Sequence, residues 1–333
     1  MKATKNLKNT PKVLIVIPCL KIDDLTRICL MHCLKLDYPN YEIAVLPDYV
    51  DEGDDTYTLD RRVHIIATGH ISPLRKRLLA CKAIECDIVA FIDSDAYPAS
   101  DWISNAIKHF SDKEIAAVTG PNLTPEGSTL QERASGLILS SWLGGGTEAL
   151  RYSRRSQACY VKEAPMCNLI VRRSIIEKLN DLPDVYPGEE IVFCGKIVQD
   201  LRKKILYDPS VIVYHHRKPL FVRHLKQIWN YGFIKGIMFK RFPKYVRTIF
   251  LLPSCMLMGL ILGGILSLFN QLVMLIVSLT FLTYIILCFI TGIRHGIREH
   301  SAKITFLVFL GIVLTHLCYG LAFIRGVLTR KRI

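Results

Sequence analysis

The chain has 333 residues, half of them hydrophobic, and a formal net charge of +14. That length allows two domains of ordinary size. Its cations crowd beside uncharged apolar stretches and no DNA- or RNA-binding motif accompanies them, which sets a nucleic-acid partner aside. Eleven cysteines without a CxxC pair fit free thiols in a reducing compartment, acting as core filler, better than a disulfide framework.

The opening MKATKNLKNTPK is basic, but the following VLIVIP is too short an apolar run for a signal peptide, so the first 240 residues are expected in the cytoplasm. From residue 13 to 120, short apolar runs alternate with amphipathic stretches, the pattern of βα units around a mostly parallel sheet. Strands are predicted over Val13–Ile17, Glu42–Leu46, Val63–Ile66, Ile88–Ile92 and Ala116–Thr119. Helical spacing marks Asp24–Leu34 and Pro73–Glu85, and Pro73 suits a first helical turn. Ligands of such sheets gather where parallel strands end, which places Pro18-Cys19, Pro47-Asp48, Gly69-His70 and Asp93-Ser94-Asp95 at one rim. The chain has no GxGxxG and no P-loop to support dinucleotide binding or ATP hydrolysis.

Beyond residue 120 the pattern loosens into a Pro/Gly loop at Gly120–Gly127 and a helical stretch at Ser128–Leu143. Gly144-Gly145-Gly146 and the polar Thr147–Gln157 then read as a mobile loop. A helix is predicted over Glu189–Lys203, strands around Ile205 and Val211, and a basic amphipathic segment over Leu220–Phe239. Three apolar stretches close the chain: Ile249–Phe269, Leu272–Ile290, and Ile304–Ile324 with only His316 ionisable. Each meets the length of about 20 residues that a bilayer crossing needs. Positive charge keeps the link Gly292–Lys303 inside, yet three crossings would then put Arg325, Arg330, Lys331 and Arg332 outside, so two or three spans are open. Between His215 and Arg247 the clustered cations suit anionic lipid headgroups, at about 1 kcal/mol per basic residue. The expected division is an α/β sheet domain over 1–217, an interfacial segment over 218–248 and a membrane domain over 249–333.

Asp93 and Asp95 leave the buried strand DIVAFI two residues apart. Hard divalent ions such as magnesium or manganese prefer oxygen ligands and keep substrate phosphates in their shell. Two acids here suit such an ion, which would neutralise charge on a departing nucleoside diphosphate. A solvated turn or helix cap uses the same residues, so the triplet alone leaves both readings open. Trp102 and Trp142 read as packing residues.

The stretch SPLRKRLLACKAIECDIVAFIDSDAYPASDWI resembles the donor-binding segment of glycosyltransferase family 2, with a Lys-Arg pair before a helix, a strand and Asp-x-Asp. VLIVIP, LDYPNYEIAVLPD, GPNLTP, LGGGT, NLIVRRSII, PGEE, LYDPSVIVYHH and HLCYGLAFIRG match further family segments in order, over nearly the whole chain. The resemblance implies a GT-A fold and inverting transfer from a nucleotide-sugar (a UDP- or GDP-sugar) with a divalent metal, magnesium or manganese. It implies donor contacts from Pro18, Asp48, Lys76, Arg77, Asp93, Ser94 and Asp95, with Asp48 on base or ribose and Lys76-Arg77 near the diphosphate. Asp93, Asp95 and one of His215 and His216, His215 by preference, would hold the metal. Glu190 is the expected base, with Glu189 beside it. The family's usual Glu-Asp is Glu-Glu here, and the acid and arginine that usually follow are replaced by Ile191, Val192 and Lys196. Asn168 and Arg172 lie toward the expected acceptor side. The implied acceptor is a lipid-linked glycan or other cell-envelope precursor, reached by a multi-pass protein of the cytoplasmic membrane in contact with its lipids. Polyprenyl phosphate is the rival acceptor, and a non-catalytic membrane scaffold the reading of another class.

Overall fold

The computed structural model describes residues 10–50, 60–179 and 182–329. The basic residues before Thr10, and Arg330, Lys331 and Arg332, lie outside them. In chain order the strands are β1 (Val13–Pro18), β2 (Tyr41–Leu46), β3 (Val63–Ile65), β4 (Ile88–Phe91), β5 (Ala96–Pro98), β6 (Ile115–Thr119), β7 (Asn122–Leu123), β8 (Cys159–Val161), β9 (Leu169–Arg172), β10 (Lys204–Tyr207) and β11 (Val213–His215). The helices are α1 (Asp24–Cys33), α2 (Pro73–Ala83), α3 (Trp102–Ile107), α4 (Leu130–Ser140), α5 (Trp142–Gly145), α6 (Arg173–Ile176), α7 (Glu189–Gly195), α8 (Val222–Arg241), α9 (Leu252–Ser267), α10 (Gln271–Arg298) and α11 (Ala302–Leu328).

The chain divides into two compact units, one of residues 1–123 with 154–215 and one of 124–153 with 216–333. In the first, eight strands form a sheet in the order β3-β2-β1-β4-β9-β6-β10-β8, and three more form the sheet β5-β11-β7. Successive residues of a strand face opposite sides, and both sides of β1 are covered. Val13, Ile15 and Ile17 pack with Cys29 and Leu30 of α1 and Trp102 and Ile103 of α3. Leu14 and Val16 pack with Ala80 and Cys81 of α2, Ile175 of α6 and Phe193 of α7. Four of the seven pairings in the larger sheet are parallel. The others arise because β9 runs antiparallel between β4 and β6, and β8 antiparallel to β10. A short apolar run such as LIV reveals burial but not strand direction. Here the chain returns at the end where β4 finishes, Phe91 pairing with Leu169.

The predicted helix over Glu189–Lys203 is shorter. It is α-helical to Gly195, widens into a π turn over Lys196–Asp200, and reverses at Arg202, whose φ is 52°. The strand expected around Val211 begins at Val213, because Val211 N closes a turn onto Asp208 O at 3.1 Å.

In the second unit, the helix expected over Ser128–Leu143 breaks at Ser141, whose backbone is extended (φ −76°, ψ 143°) and whose side chain accepts from Gly144 N. That cap starts α5, so the three glycines expected in a mobile loop instead form a helical turn followed by a 3-10 stretch over Gly146–Tyr152. Gly145 needs its missing side chain, since a Cβ would lie 2.0 Å from Leu139 O. Trp142 is 80 % exposed, against its expected packing role, whereas Trp102 is fully buried. Residues 124–153 thus group with the C-terminal helices rather than with the sheet.

The basic amphipathic segment forms α8, and its apolar face has a protein partner in α11. At Gly232 and Gly236 a Cβ would lie 2.7 Å from Tyr319 O and 2.2 Å from Phe323 O. Arg325 of α11 sits over the rings of Trp229 and Phe233 at 5.7 and 5.9 Å. Three helical segments, Thr248–Ser267, Gln271–Arg298 and Ala302–Leu328, are long and apolar enough to cross a membrane. The third runs unbroken through Gly311 and Gly320. All eleven cysteines are free thiols, seven of them buried, as core filler requires.

Candidate active site

Parallel pairing brings the carboxyl ends of β1, β2 and β4 to one rim, with Pro18 opposite Leu46 and Val16 opposite Phe91. Pro18 is buried at the end of β1. Two residues past β2, Asp48 accepts from His70 Nδ1 at 2.8 Å, and Gly69 N donates to Asp48 O at 2.9 Å, so two of the expected rim loops are bonded together.

Helix α2 begins at Ser72, which caps Arg75 N, and runs back from this rim. Its Lys-Arg pair is not a solvated face: Lys76 and Arg77 are each 2 % exposed. Lys76 Nζ donates to Cys19 O at 2.5 Å, to Leu46 O at 3.0 Å and to Asp48 Oδ1. An ammonium has three donors, so Lys76 is fully used in tying the ends of β1 and β2 to Asp48. Burial pushes the Asp48 carboxyl up, but its bonds from Lys76 and His70 outweigh that and hold it below its ordinary value.

Arg77 reaches the next strand end. Its guanidinium donates from Nη2 to Asp93 Oδ1 at 2.7 Å and from Nη1 to Glu189 Oε1, and lies 5.8 Å from the Phe91 ring. Glu189 is 3 % exposed and its Oε2 has no hydrogen-bond partner among the described residues. Burial pushes the Glu189 carboxyl up to about 7 against the pull of Arg77, with Glu190 and Asp93 adding to the rise. Both glutamates occupy the first turn of α7, entered through Gly188 at φ 113°, a conformation that favours glycine. Glu190 is the half-exposed acid of the two.

The small sheet positions the remaining groups. β11 pairs antiparallel with β5 so that His215 lies opposite Ala96, which sets its Nε2 3.0 Å from Asp95 Oδ1. The rings of Tyr97 and Tyr214 stack at 5.2 Å and stiffen this pairing. Burial would push His215 down, but its interactions with Cys167 and with the Asp95 carboxylate raise it to about 10. Ser94 is half-buried between the two acids. Asp93, Cys167 and His215 each offer one ligand atom, and these atoms lie within 4.8 Å of one another. A carboxylate, an imidazole and a sulfur are all donors that divalent ions accept, so this set fits a metal ion.

The structure therefore gathers Asp48, Lys76, Arg77, Asp93, Glu189, Asp95 and His215 into linked hydrogen-bonded groups. Asn168 and Arg172 serve elsewhere. Asn168 is fully buried, accepting from Trp102 Nε1 at 2.8 Å and donating to Val211 O at 2.9 Å and Pro121 O at 3.4 Å. Arg172 pairs with Ile88 at the opposite end of β4 and donates to Ile115 O, Phe110 O and Asp112 O. Cys167 was not expected at the site, because a cysteine before an apolar run carries no sign of its strand partner.

Residues 11–166 match the family model described as "Glycosyltransferase like family 2". The Pre-mycofactocin glycosyltransferase of Mycobacterium tuberculosis is 26% identical over 174 residues, 51% of this chain and 36% of that protein. The chain thus spans little more than a third of that relative's length. A Methanococcus voltae protein, named Dolichyl N-acetyl-alpha-D-glucosaminyl phosphate 3-beta-D-2,3-diacetamido-2,3-dideoxy-beta-D-glucuronosyltransferase, is 23% identical over 279 residues, 76% of this chain and 82% of its own. Among solved structures, a mannosyltransferase from Pyrobaculum calidifontis in complex with GDP-Man and Mn2+ superposes with a TM-score of 0.54 and 15% identity, over 97% of this chain and 89% of that one. Residues 11–166 are thus similar to the glycosyltransferase family 2 type, within a mixed α/β sheet domain of GT-A fold.

Proposed function

We propose that the protein is an inverting glycosyltransferase that moves a sugar from a UDP- or GDP-sugar to a lipid-linked glycan or another cell-envelope precursor at the cytoplasmic membrane face. The observation that carries this reading is the Asp48–Lys76 and Glu189–Arg77–Asp93 linkage at the rim, beside the Asp95–His215 pair. Asp48 suits the base or ribose of the donor. Asp93, Asp95 and His215 suit its diphosphate through magnesium or manganese, an ion that would neutralise the charge of the leaving nucleoside diphosphate. The Pyrobaculum neighbour's Mn2+ and GDP-Man support a metal and a nucleotide-sugar. The Methanococcus relative's name supports a lipid-linked acceptor, as do helices on the same chain long enough to cross a membrane.

Glu190 is the base. On the first turn of α7 its carboxylate is favoured by the helix N-terminus. It takes the acceptor hydroxyl proton while that oxygen bonds to the anomeric carbon and the bond from that carbon to the phosphate oxygen breaks on the opposite face. Glu189, committed to Arg77, fixes the turn on which Glu190 stands.

The test is transfer by Glu190→Gln beside a thermal-shift assay with UDP- and GDP-sugars. Removing a general base lowers kcat by roughly 10²–10⁴, with donor binding unchanged. A wild-type rate on a hydroxyl acceptor would overturn the assignment, and retained activity confined to polyprenyl phosphate would make a phosphate the acceptor. No turnover with any donor, together with no metal-dependent nucleotide binding, would leave a scaffold.

A further inference from the structure

Two separate strand pairings converge on one thiol. β4 and β9 pair antiparallel with Phe91 opposite Leu169, and two residues beyond that pair stand Asp93 after β4 and Cys167 in the 3-10 turn Met166–Asn168 before β9. β5 and β11 pair with Ala96 opposite His215, which brings the imidazole in from the other sheet. The outcome is a carboxylate oxygen, a sulfur and a ring nitrogen within 4.8 Å of one another. Cys167 is 3 % exposed and Asp93 is half-buried. A second thiol lies nearby, but Cys29 Sγ donates to the backbone oxygen of Asp93, at 3.8 Å, and not to its carboxylate.

We propose that Cys167 is a further protein ligand of the divalent ion assigned to Asp93, Asp95 and His215, and that its sulfur biases the site toward cobalt, zinc and cadmium over magnesium. Magnesium demands near-octahedral oxygen and sheds its water reluctantly. Thiolate selects softer ions, and imidazole suits zinc and its first-row neighbours. On coordination the Sγ–H bond is exchanged for a metal–sulfur bond, the ligating nitrogen of His215 gives up its proton, and both protons pass to solvent. The inference rests on the metal-binding reading of this rim.

The experiment is a cobalt(II) titration of the full-length protein in detergent, with and without UDP or GDP, followed by absorbance. The wild type shows a near-ultraviolet thiolate-to-cobalt charge-transfer band. Cys167→Ala and Cys167→Ser lose it and bind cobalt at least about tenfold more weakly, while magnesium binding moves far less. Cys255→Ser, which removes an exposed thiol of α9, keeps the band. Wild-type circular dichroism in either Cys167 variant suffices to read the result. A band that survives in such a variant assigns the sulfur to another cysteine and overturns the proposal. Cobalt bound by the wild type without a band overturns it too, while the metal reading of the rim stands. If the wild type binds no divalent ion in any of these mixtures, both fall.

Discussion

Replacing Arg77 with leucine removes the cation on which two carboxylates depend. Arg77 is 2 % exposed and bonds Glu189 and Asp93, and Glu189 already has one oxygen without a partner among the described residues. Deleting one member of a buried ion pair costs about 3–5 kcal/mol. In a folding unit of roughly 150–250 residues each kcal/mol lowers Tm by about 2–4 °C, so Arg77→Leu is expected to lower it by roughly 6–20 °C. The loss has a pH sign. Glu189 stands at about 7 in the fold against an ordinary 4.5, and losing Arg77 raises it further. A carboxyl raised in the fold contributes fully below its unfolded value and loses that contribution as pH rises through the folded one. The variant's deficit relative to wild type is therefore smaller at pH 5 than at pH 8. Thermal denaturation followed by intrinsic fluorescence at both pH values reads this, alongside Glu189→Leu and the double variant. The double variant should lose less than the sum of the singles by about 0.5–3 kcal/mol. A Tm drop under about 2 °C for Arg77→Leu, or strict additivity, would refute the buried linkage.

The His224 ring of α8 is fully buried between Ser135 Oγ at 2.7 Å and Thr315 Oγ1 at 3.0 Å, and burial pushes it down to about 4 from 6.5. Stability from the neutral ring is present above pH 6.5 and falls by up to about 3 kcal/mol as pH drops toward 4. His224→Gln should flatten that part of the Tm–pH curve, and an unchanged slope would show the ring is not the titrating group. Asn168→Leu strands the Trp102 N–H and the Val211 carbonyl, at about 1–3 kcal/mol for each buried group left unpaired. Chemical denaturation with a loss below about 0.5 kcal/mol would return Asn168 to the acceptor side. Gly236→Val puts a Cβ 2.2 Å from Phe323 O and should displace α8 from α11. The readout is loss of a disulfide engineered between those helices under oxidation, and undiminished cross-linking would refute the close approach.

Much of the candidate site's placement was legible in the chain. Alternating apolar runs located β1 to β4, the rim position of Asp48, Asp93 and Asp95 followed from parallel strands ending together, and Ser72-Pro73 announced the start of α2. These are local signals, since apolar period and capping chemistry act over a few residues. What Lys76 and Arg77 do was not legible: both looked like solvated or phosphate-facing cations, and the fold buries them against Asp48, Asp93 and Glu189. Nor was the direction of β9, the grouping of residues 124–153 with the C-terminal helices, or the meeting of Cys167 with Asp93 and His215. By itself the sequence determined which segments are buried, where strands end and which acids stand there. Only the tertiary structure decided which charges meet, because a side chain's partner depends on strand order and register between residues far apart in the chain, and hydrophobic periodicity carries neither.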